Sequence, residues 1–396
     1  MSSFTAFQAA ATEPVLNPTM THRDIKGFDG IRALAVIAVI LFHAGAYAVL
    51  TRLGILSEAL VPMIDGGTGV QAFFVLSGFL ITSLLIAEFN ATGSISIRHF
   101  ILRRTLRIFP LYILFLLIVT LLHLGLPGVT TWPSLYYAYG YVFNFVPTQH
   151  YTPIFGHTWS LAVEEHFYLF WPSLFLLNYA RRPPLLVGLT LPFVITAPFL
   201  GLALTRSGLG SEYFVARFSF VAGAAIALGC LMALLAHGRK TATAFRRVAQ
   251  SPWALAFGLL LFANSLYLQV DSWFLRTAGS AFGRNLGIAL CIGWIYFNQN
   301  SLLTRVLELH PLKYIGLISY GLYIFQGLFL TTDPTRTPGL DWPPAPTTGL
   351  VMLLVAAPLS YHLFEKPFLR LKSRFSAAPL QAAPQKAAGP SPALRR

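Results

Sequence analysis

The sequence is short of charge and of cysteine, and each shortage removes a class of protein. Only 11% of the 396 residues are Asp, Glu, Lys or Arg, against roughly 25% in soluble domains. Hydrophobic residues make up 55% and the mean hydropathy is +0.64, more apolar surface than one soluble core buries. The two cysteines, Cys230 and Cys291, each lie inside an apolar run, which supports neither a disulfide framework nor a metal cluster. Acidic residues are half as numerous as basic ones, 14 against 28, for a net charge of +14. That excess raises nucleic acid as a partner, yet no zinc-finger, RRM-like or helix-turn-helix pattern accompanies it. The basic residues sit in joints between apolar runs, where the anionic inner leaflet is the expected partner. The first 27 residues lack an apolar core and a cleavage site, so no signal peptide is expected.

What is present is a series of long apolar runs such as Phe28–Leu50, Leu185–Leu204, Trp253–Leu268 and Leu350–Phe364. Runs near ~20 residues read as membrane-spanning helices. The expected architecture is all-α and polytopic, with spans at roughly 28–50, 68–89, 108–124, 158–179, 185–205, 213–236, 252–270, 280–298, 314–332 and 347–364. Ten spans put both termini on one side. Alternate joints, with the tail, then hold 22 of the 28 Lys and Arg residues and the opposite joints 6. Positive charge collects on cytoplasmic loops, so both termini are expected there. The organisation is a cytoplasmic segment 1–27, a transmembrane domain 28–370 and a basic, Ala/Pro-rich tail 371–396 of disordered composition. The joint 125–157, rich in Tyr and Trp, has room for a further hydrophobic hairpin.

An ionisable group inside a span is costly and points to function. Arg32 and His43 stand eleven residues apart in span one, on one helix face and ~16 Å apart along the axis. Arg32 snorkelling to headgroups, or pairing with Asp29, and His43 bonding a neighbouring carbonyl are the plain alternatives. Glu164-Glu165-His166 follows Trp159-Ser160 in span four, and Glu164 is expected ~9 Å below the outer surface, at the depth of His43. A carboxylate and an imidazole at one depth suit a base and its orienting partner; a structural ion pair, with Glu165 facing water, is the alternative. Arg103-Arg104-Thr105-Leu106-Arg107 precedes span three and suits phosphate, or ordinary sidedness. In span two, Phe73-Phe74-Val75-Leu76-Ser77-Gly78 offers a close backbone approach at Ser77 and Gly78, with a packing role for both phenylalanines.

In this order the segments resemble the membrane acyltransferase-3 family of the O-antigen acetylase type. The matching pieces are Phe28-Asp29-Gly30-Ile31-Arg32 with His43 closing an Arg-x10-His pattern, the Phe73–Thr82 segment, Arg103–Pro110, and Trp159–Tyr168 with Tyr168 at its end. Ile318-Ser319-Tyr320-Gly321-Leu322-Tyr323 and Glu365-Lys366-Pro367 complete the set. Two positions depart from the family pattern: Gln326 stands where many members carry histidine, and Gln71-Ala72 where some carry an acidic residue before the Phe-Phe pair.

The resemblance implies a stand-alone membrane module of the bacterial inner membrane that moves an acyl group, acetyl above all, from cytoplasmic acyl-CoA to a sugar hydroxyl. It implies acyl-CoA as co-substrate, a glycan or glycosylated acceptor, no permanently bound cofactor and no metal. His43 and Glu164 are the expected catalytic pair, and Arg32, Ser77, Arg104 and Arg107 the expected donor-binding residues. Asp29, Phe74, Gly78, Trp159, Ser160, Glu165, Tyr168, Ser319 and Tyr320 are further motif positions. A proton-coupled transporter using His43 and Glu164 as a relay is the alternative from another class.

Overall fold

A computed structural model describes residues 25–46, 51–54, 66–126, 128–267, 280–330, 342, 346–372 and 375. Expectations for residues 1–24 and for most of the tail lie outside these. The described elements are helical throughout. In chain order they are α1 (Phe28–His43), α2 (Gly66–Thr92), α3 (Ile97–Gly125), α4 (Trp132–Tyr139), α5 (Thr158–Tyr179), α6 (Pro183–Arg206), α7 (Glu212–Ala216) and α8 (Ser219–His237). There follow α9 (Ala242–Gln250), α10 (Pro252–Tyr267), α11 (Ser280–Phe297), α12 (Leu302–Leu307), α13 (His310–Leu317), α14 (Ser319–Phe329), α15 (Pro346–Ser360) and α16 (Lys366–Lys372). A π-helical turn, Tyr361–Glu365, joins the last two.

Helix falls on each expected apolar segment, and five helical stretches are long and apolar enough to cross a bilayer: α2, α3, α6, α8 and Thr347–Leu371. Of these, α2 and α8 are mostly buried, whereas α3, α6 and Thr347–Leu371 turn most of their apolar surface outward. Leu117, Leu121, Leu189, Ile195, Val351 and Leu354 are among the exposed side chains. Exposed leucine in such quantity is unfavourable in water and indifferent in lipid, which makes this an integral membrane protein.

In lipid, association rests on close packing and hydrogen bonds rather than on the hydrophobic effect. The α2–α8 contact shows the device. A Cβ on Gly78 would overlap the Ile226 carbonyl, and one on Gly229 would overlap the Val75 carbonyl, so each helix lays a glycine on the other's backbone. Trp171 on α5 ties to the same pair by donating to the Thr82 hydroxyl at 2.9 Å. Gly30 and Gly316 play the same part around α1, facing the carbonyls of Leu307 and Asp29. Outside the bilayer-facing helices, the Gly27 N–H donates to Glu308 at 2.7 Å and Lys313 pairs with Glu308 at 2.8 Å.

Several expected boundaries shift, each for a local reason. Helix α1 stops at His43 rather than near 50, because Gly45 adopts φ +64° and the Ala44 and Gly45 N–H groups turn back to Ile40 and Phe42, a glycine stop. Helix α3 starts at Ile97, eleven residues before the expected 108. Ser96 caps it by accepting from the His99 N–H, so the arginine motif is helical rather than a joint. The expected single span at 314–332 is broken at Ile318, between α13 and α14. The joint 125–157 holds the eight-residue α4 and three short 3₁₀ turns, with no hairpin of crossing length among its described residues. Both cysteines are free.

Candidate active site

Five helices contribute to one cavity, four of them through residues three or four apart and therefore on one face. From α1 comes Arg32; from α2, Val70, Phe73, Phe74, Ser77 and Leu80; from α3, Arg104, Arg107 and Ile108. Helix α5 adds Ser160, Leu161, Glu164 and Tyr168, and α14 adds Ser319, Tyr320 and Tyr323. The cavity is about 90 Å³.

The charged groups gather here. The three guanidinium groups are close enough to act on one another, with Asp29 beside Arg32. The Arg32–Asp29 separation is 3.8 Å, an ion pair too long for a hydrogen bond, and among the described residues the buried Nη1 of Arg32 has no hydrogen-bond partner. Arg104 is held by two ring faces, with its guanidinium carbon 5.7 Å from the Phe100 centroid and 5.2 Å from that of Tyr168. Arg103, the first arginine of the motif, turns away from the cavity. It pairs with Glu88 at 3.0 Å and donates to the Phe375 carbonyl at 2.8 Å, which ties the end of the described chain to α3.

Glu164 faces Arg104, Arg32 and Arg107 and lies within reach of the Ser77 hydroxyl. The Ser77 and Tyr168 hydroxyls are 2.6 Å apart, so a chain of donors runs from Tyr168 through Ser77 toward the carboxylate. The residues lining the cavity carry three cations and one carboxylate, Glu164, while Asp29, Glu165 and Glu365 act on the same arginines from beyond its walls, an arrangement that presents guanidinium groups to an anionic ligand. The walls are held from behind. The Tyr320 hydroxyl donates to the Ile108 carbonyl at 2.6 Å, which fixes α14 against the turn of α3 that carries Arg107. Phe74 stacks edge-on against Trp159 at 5.9 Å.

Most motif residues thus meet in one place, and of the expected catalytic pair Glu164 lines the cavity while His43 does not. Since α1 ends at His43, that imidazole lies at the far end of its helix and not within it. A further buried histidine, His157, stands at the start of α5, seven residues and ~10 Å along the helix from Glu164. Neither His43 nor His157 lines the cavity. Trp159, Gly78 and Asp29 support it without lining it. Glu165 is half-buried rather than turned out to water: its Oε1 is buried with no hydrogen-bond partner among the described residues, and Tyr141 and Tyr320 feel its charge.

Sequence reasoning passed over His157 and Tyr323 as functional positions. His157 is buried, with its ring edge-on to Phe115 at 5.3 Å and to Tyr323 at 5.6 Å. The signal for it was a second membrane-depth histidine two residues ahead of Trp159-Ser160. Gln326, where the family pattern carries histidine, is buried, and among the described residues neither of its amide atoms has a hydrogen-bond partner.

Comparison with known proteins adds the following. A family model described as an acyltransferase domain matches residues 25–363. A putative peptidoglycan O-acetyltransferase of Bacillus subtilis, YrhL, is 27% identical over 88% of this chain and 55% of its own length. The peptidoglycan O-acetyltransferase OatA of Listeria monocytogenes is 28% identical over 88% of this chain and 56% of its own. A putative O-acetyltransferase of Staphylococcus aureus, SACOL0978, is 34% identical over 38% of this chain and 24% of its own. The chain thus spans about half the length of the first two of these relatives. No solved structure matches it.

Proposed function

From the premise that this chain belongs to the acyltransferase-3 family, we propose that it is an O-acetyltransferase acting from acyl-CoA on a sugar hydroxyl of a glycan. The observation that carries this reading is the gathering of Arg32, Arg104, Arg107 and Glu164 in one cavity among five helices. Arginines bind phosphate through paired N–H groups and stay charged when buried, so the cluster suits the anionic end of a CoA thioester arriving from the cytoplasm. A cavity of about 90 Å³ takes a slender acyl-bearing arm, not a sugar ring. The acceptor hydroxyl therefore approaches from the opposite side, where His43 stands as general base.

The chemistry needs three things: a held thioester, a base for the hydroxyl proton, and positive charge near the oxygen that becomes anionic. The arginines supply the first, gripping the donor's phosphates a pantetheine arm away from the reacting carbon, and His43 the second. Glu164 offsets part of the arginine charge before the donor binds. The relatives' names make peptidoglycan the favoured acceptor class, and the bacterial inner membrane with both termini cytoplasmic the favoured setting. A secondary transporter is the weaker reading, because it gives three half-buried arginines in one cavity no task.

The test is thioester cleavage by purified protein supplied with acetyl-CoA and a peptidoglycan fragment, comparing wild type with Arg104→Ala and Arg107→Ala. Each loss of a charge-assisted contact is worth ~1.5–3 kcal/mol, or ~10–150-fold in affinity. The expected result is acceptor-dependent release of CoA by wild type, with KM for acetyl-CoA raised by that factor in either variant. No CoA release by wild type with any hydroxyl acceptor overturns the proposal.

A further inference from the structure

A second hollow lies apart from the arginine cavity and shares no lining residue with it. Helices α6 and α11 both pack on α8 and leave a crevice of about 220 Å³ between them. Leu231, Met232 and Ala289 on its floor are buried, whereas Leu191, Ile195 and Phe282 on its rim are exposed. Every lining residue is apolar or glycine, and the rim belongs to the surface that α6 turns to lipid. On α11 the lining runs from Phe282 to Gly293, eleven residues or ~16 Å of helix. That is the depth of one leaflet, half of a hydrocarbon core ~30 Å thick.

One end of the crevice is capped by α9, which lines it with Phe245, Val248 and Ala249 at helical spacing. The cap is pinned at both ends. The Thr241 hydroxyl donates to the Leu235 carbonyl of α8 at 2.8 Å, and the Asn298 amide, just past α11, donates to the Gln250 carbonyl at 3.3 Å. A Cβ on Gly293 would meet Ala249 at 3.8 Å, so α9 is seated on α11. Its other faces are polar and basic. Arg246 is half-buried beside the apolar stripe, and Arg247 is exposed. Arg239 and Lys240, both exposed, stand in the joint that leads from α8 into the cap. An amphipathic helix between two apolar ones, with arginines on its polar face, lies at headgroup level. Ordinary sidedness accounts for the four cations but not for a leaflet-deep gap beside them, which forgoes the close packing that holds helices together in lipid.

We propose that this crevice is a binding site for an anionic phospholipid, with one acyl chain along α8 and the phosphate at Arg239, Lys240 and Arg246. The apolar, leaflet-long lining fits a hydrocarbon chain, and basic recesses between membrane helices hold anionic head groups. Helices α6, α8, α9 and α11 and the joint 238–241 contain no Asp or Glu, so none of these elements opposes a phosphate. A zwitterionic lipid offers the same chain but brings an ammonium group against the same cations. A second copy of this chain is a poor occupant, because a two-fold contact would set the cations of α9 against themselves. The site uses none of the groups assigned to acyl transfer and stands or falls separately from that reading.

The test is native mass spectrometry of the detergent-purified protein titrated with dioleoylphosphatidylglycerol or dioleoylphosphatidylcholine, reading the dissociation constant of the first bound lipid. Three variants are compared with wild type. Arg239→Gln/Lys240→Gln/Arg246→Gln removes the headgroup cations, Leu286→Trp places an indole in mid-crevice, and Arg305→Gln removes an exposed arginine of α12. Wild type is expected to bind phosphatidylglycerol ~10-fold or more tightly than phosphatidylcholine. The triple variant loses that preference, Leu286→Trp weakens both lipids, and Arg305→Gln stays within twofold of wild type. Equal affinity of wild type for the two lipids overturns the proposal. So does a folded triple variant that keeps the preference, or a folded Leu286→Trp protein that binds as wild type does. An Arg305→Gln protein weakened as much as the triple variant reduces the effect to general surface charge and overturns it as well. Dimers that Leu286→Trp dissociates, with no lipid preference in wild type, assign the crevice to a second copy instead. Should Leu286→Trp fail to fold, the triple variant and the wild-type comparison decide.

Discussion

Neutralising Glu164 separates two roles for that carboxylate. If Glu164 orients His43, as its depth in the sequence suggests, Glu164→Gln lowers kcat and leaves donor affinity alone. The structure instead surrounds Glu164 with Arg104, Arg32 and Arg107, in the cavity proposed to receive the anionic donor. Its negative charge then opposes a bound phosphate. For like charges ~8 Å apart at an effective dielectric of about 20, the repulsion is ~2 kcal/mol. Removing it tightens CoA binding by up to ~30-fold. Salt screens part of this, since the cavity opens to solvent, so a gain of about 5- to 30-fold at low ionic strength is the expected outcome. The assay is isothermal titration of CoA into detergent-purified wild type, Glu164→Gln, Arg104→Ala and the double variant. The double variant should show a coupling of ~0.5–3 kcal/mol between the two side chains. A Glu164→Gln protein that folds and binds CoA no more tightly than wild type refutes the charge-balance argument.

Two further outcomes follow from the packing and the ends of the helices. Gly78→Ala places a methyl against the Ile226 carbonyl; overpacking of this kind costs ~1–3 kcal/mol, and a lowered unfolding temperature in detergent is expected, since α2 and α8 must separate. Glu308 lies outside the spans. Burial raises its pKa, but the Gly27 N–H and Lys313 outweigh that and hold it below the ordinary carboxylate value. Its contribution to stability is present above the ordinary pKa of ~4 and is lost as pH falls through the lower folded value. Glu308→Gln should therefore destabilise the protein at pH 7 and make progressively less difference below ~4, measured as unfolding temperature against pH.

The sequence by itself determined the class of protein, because hydropathy is a local property. A run such as Gly66–Thr92 is apolar enough to cross a bilayer whatever it packs against. It also determined the composition of the cavity wall: Ser77, Arg104, Arg107, Glu164, Tyr168 and Tyr320 stand out as polar groups in apolar helices, and all six line one cavity. Helix ends were less legible, because they turned on single residues, the φ of Gly45 and the Ser96 cap. Only the tertiary structure decided which groups face one another. Depth along a helix is readable from residue number, but rotation and neighbour choice are not. They are set where shapes interlock, as at Gly78 against Ile226 and Gly327 against His157. Glu164 therefore lines the cavity and His43 does not, although counting residues places them at one depth: between remote helices, contact is decided by side-chain volume across the gap, a quantity that belongs to neither segment alone.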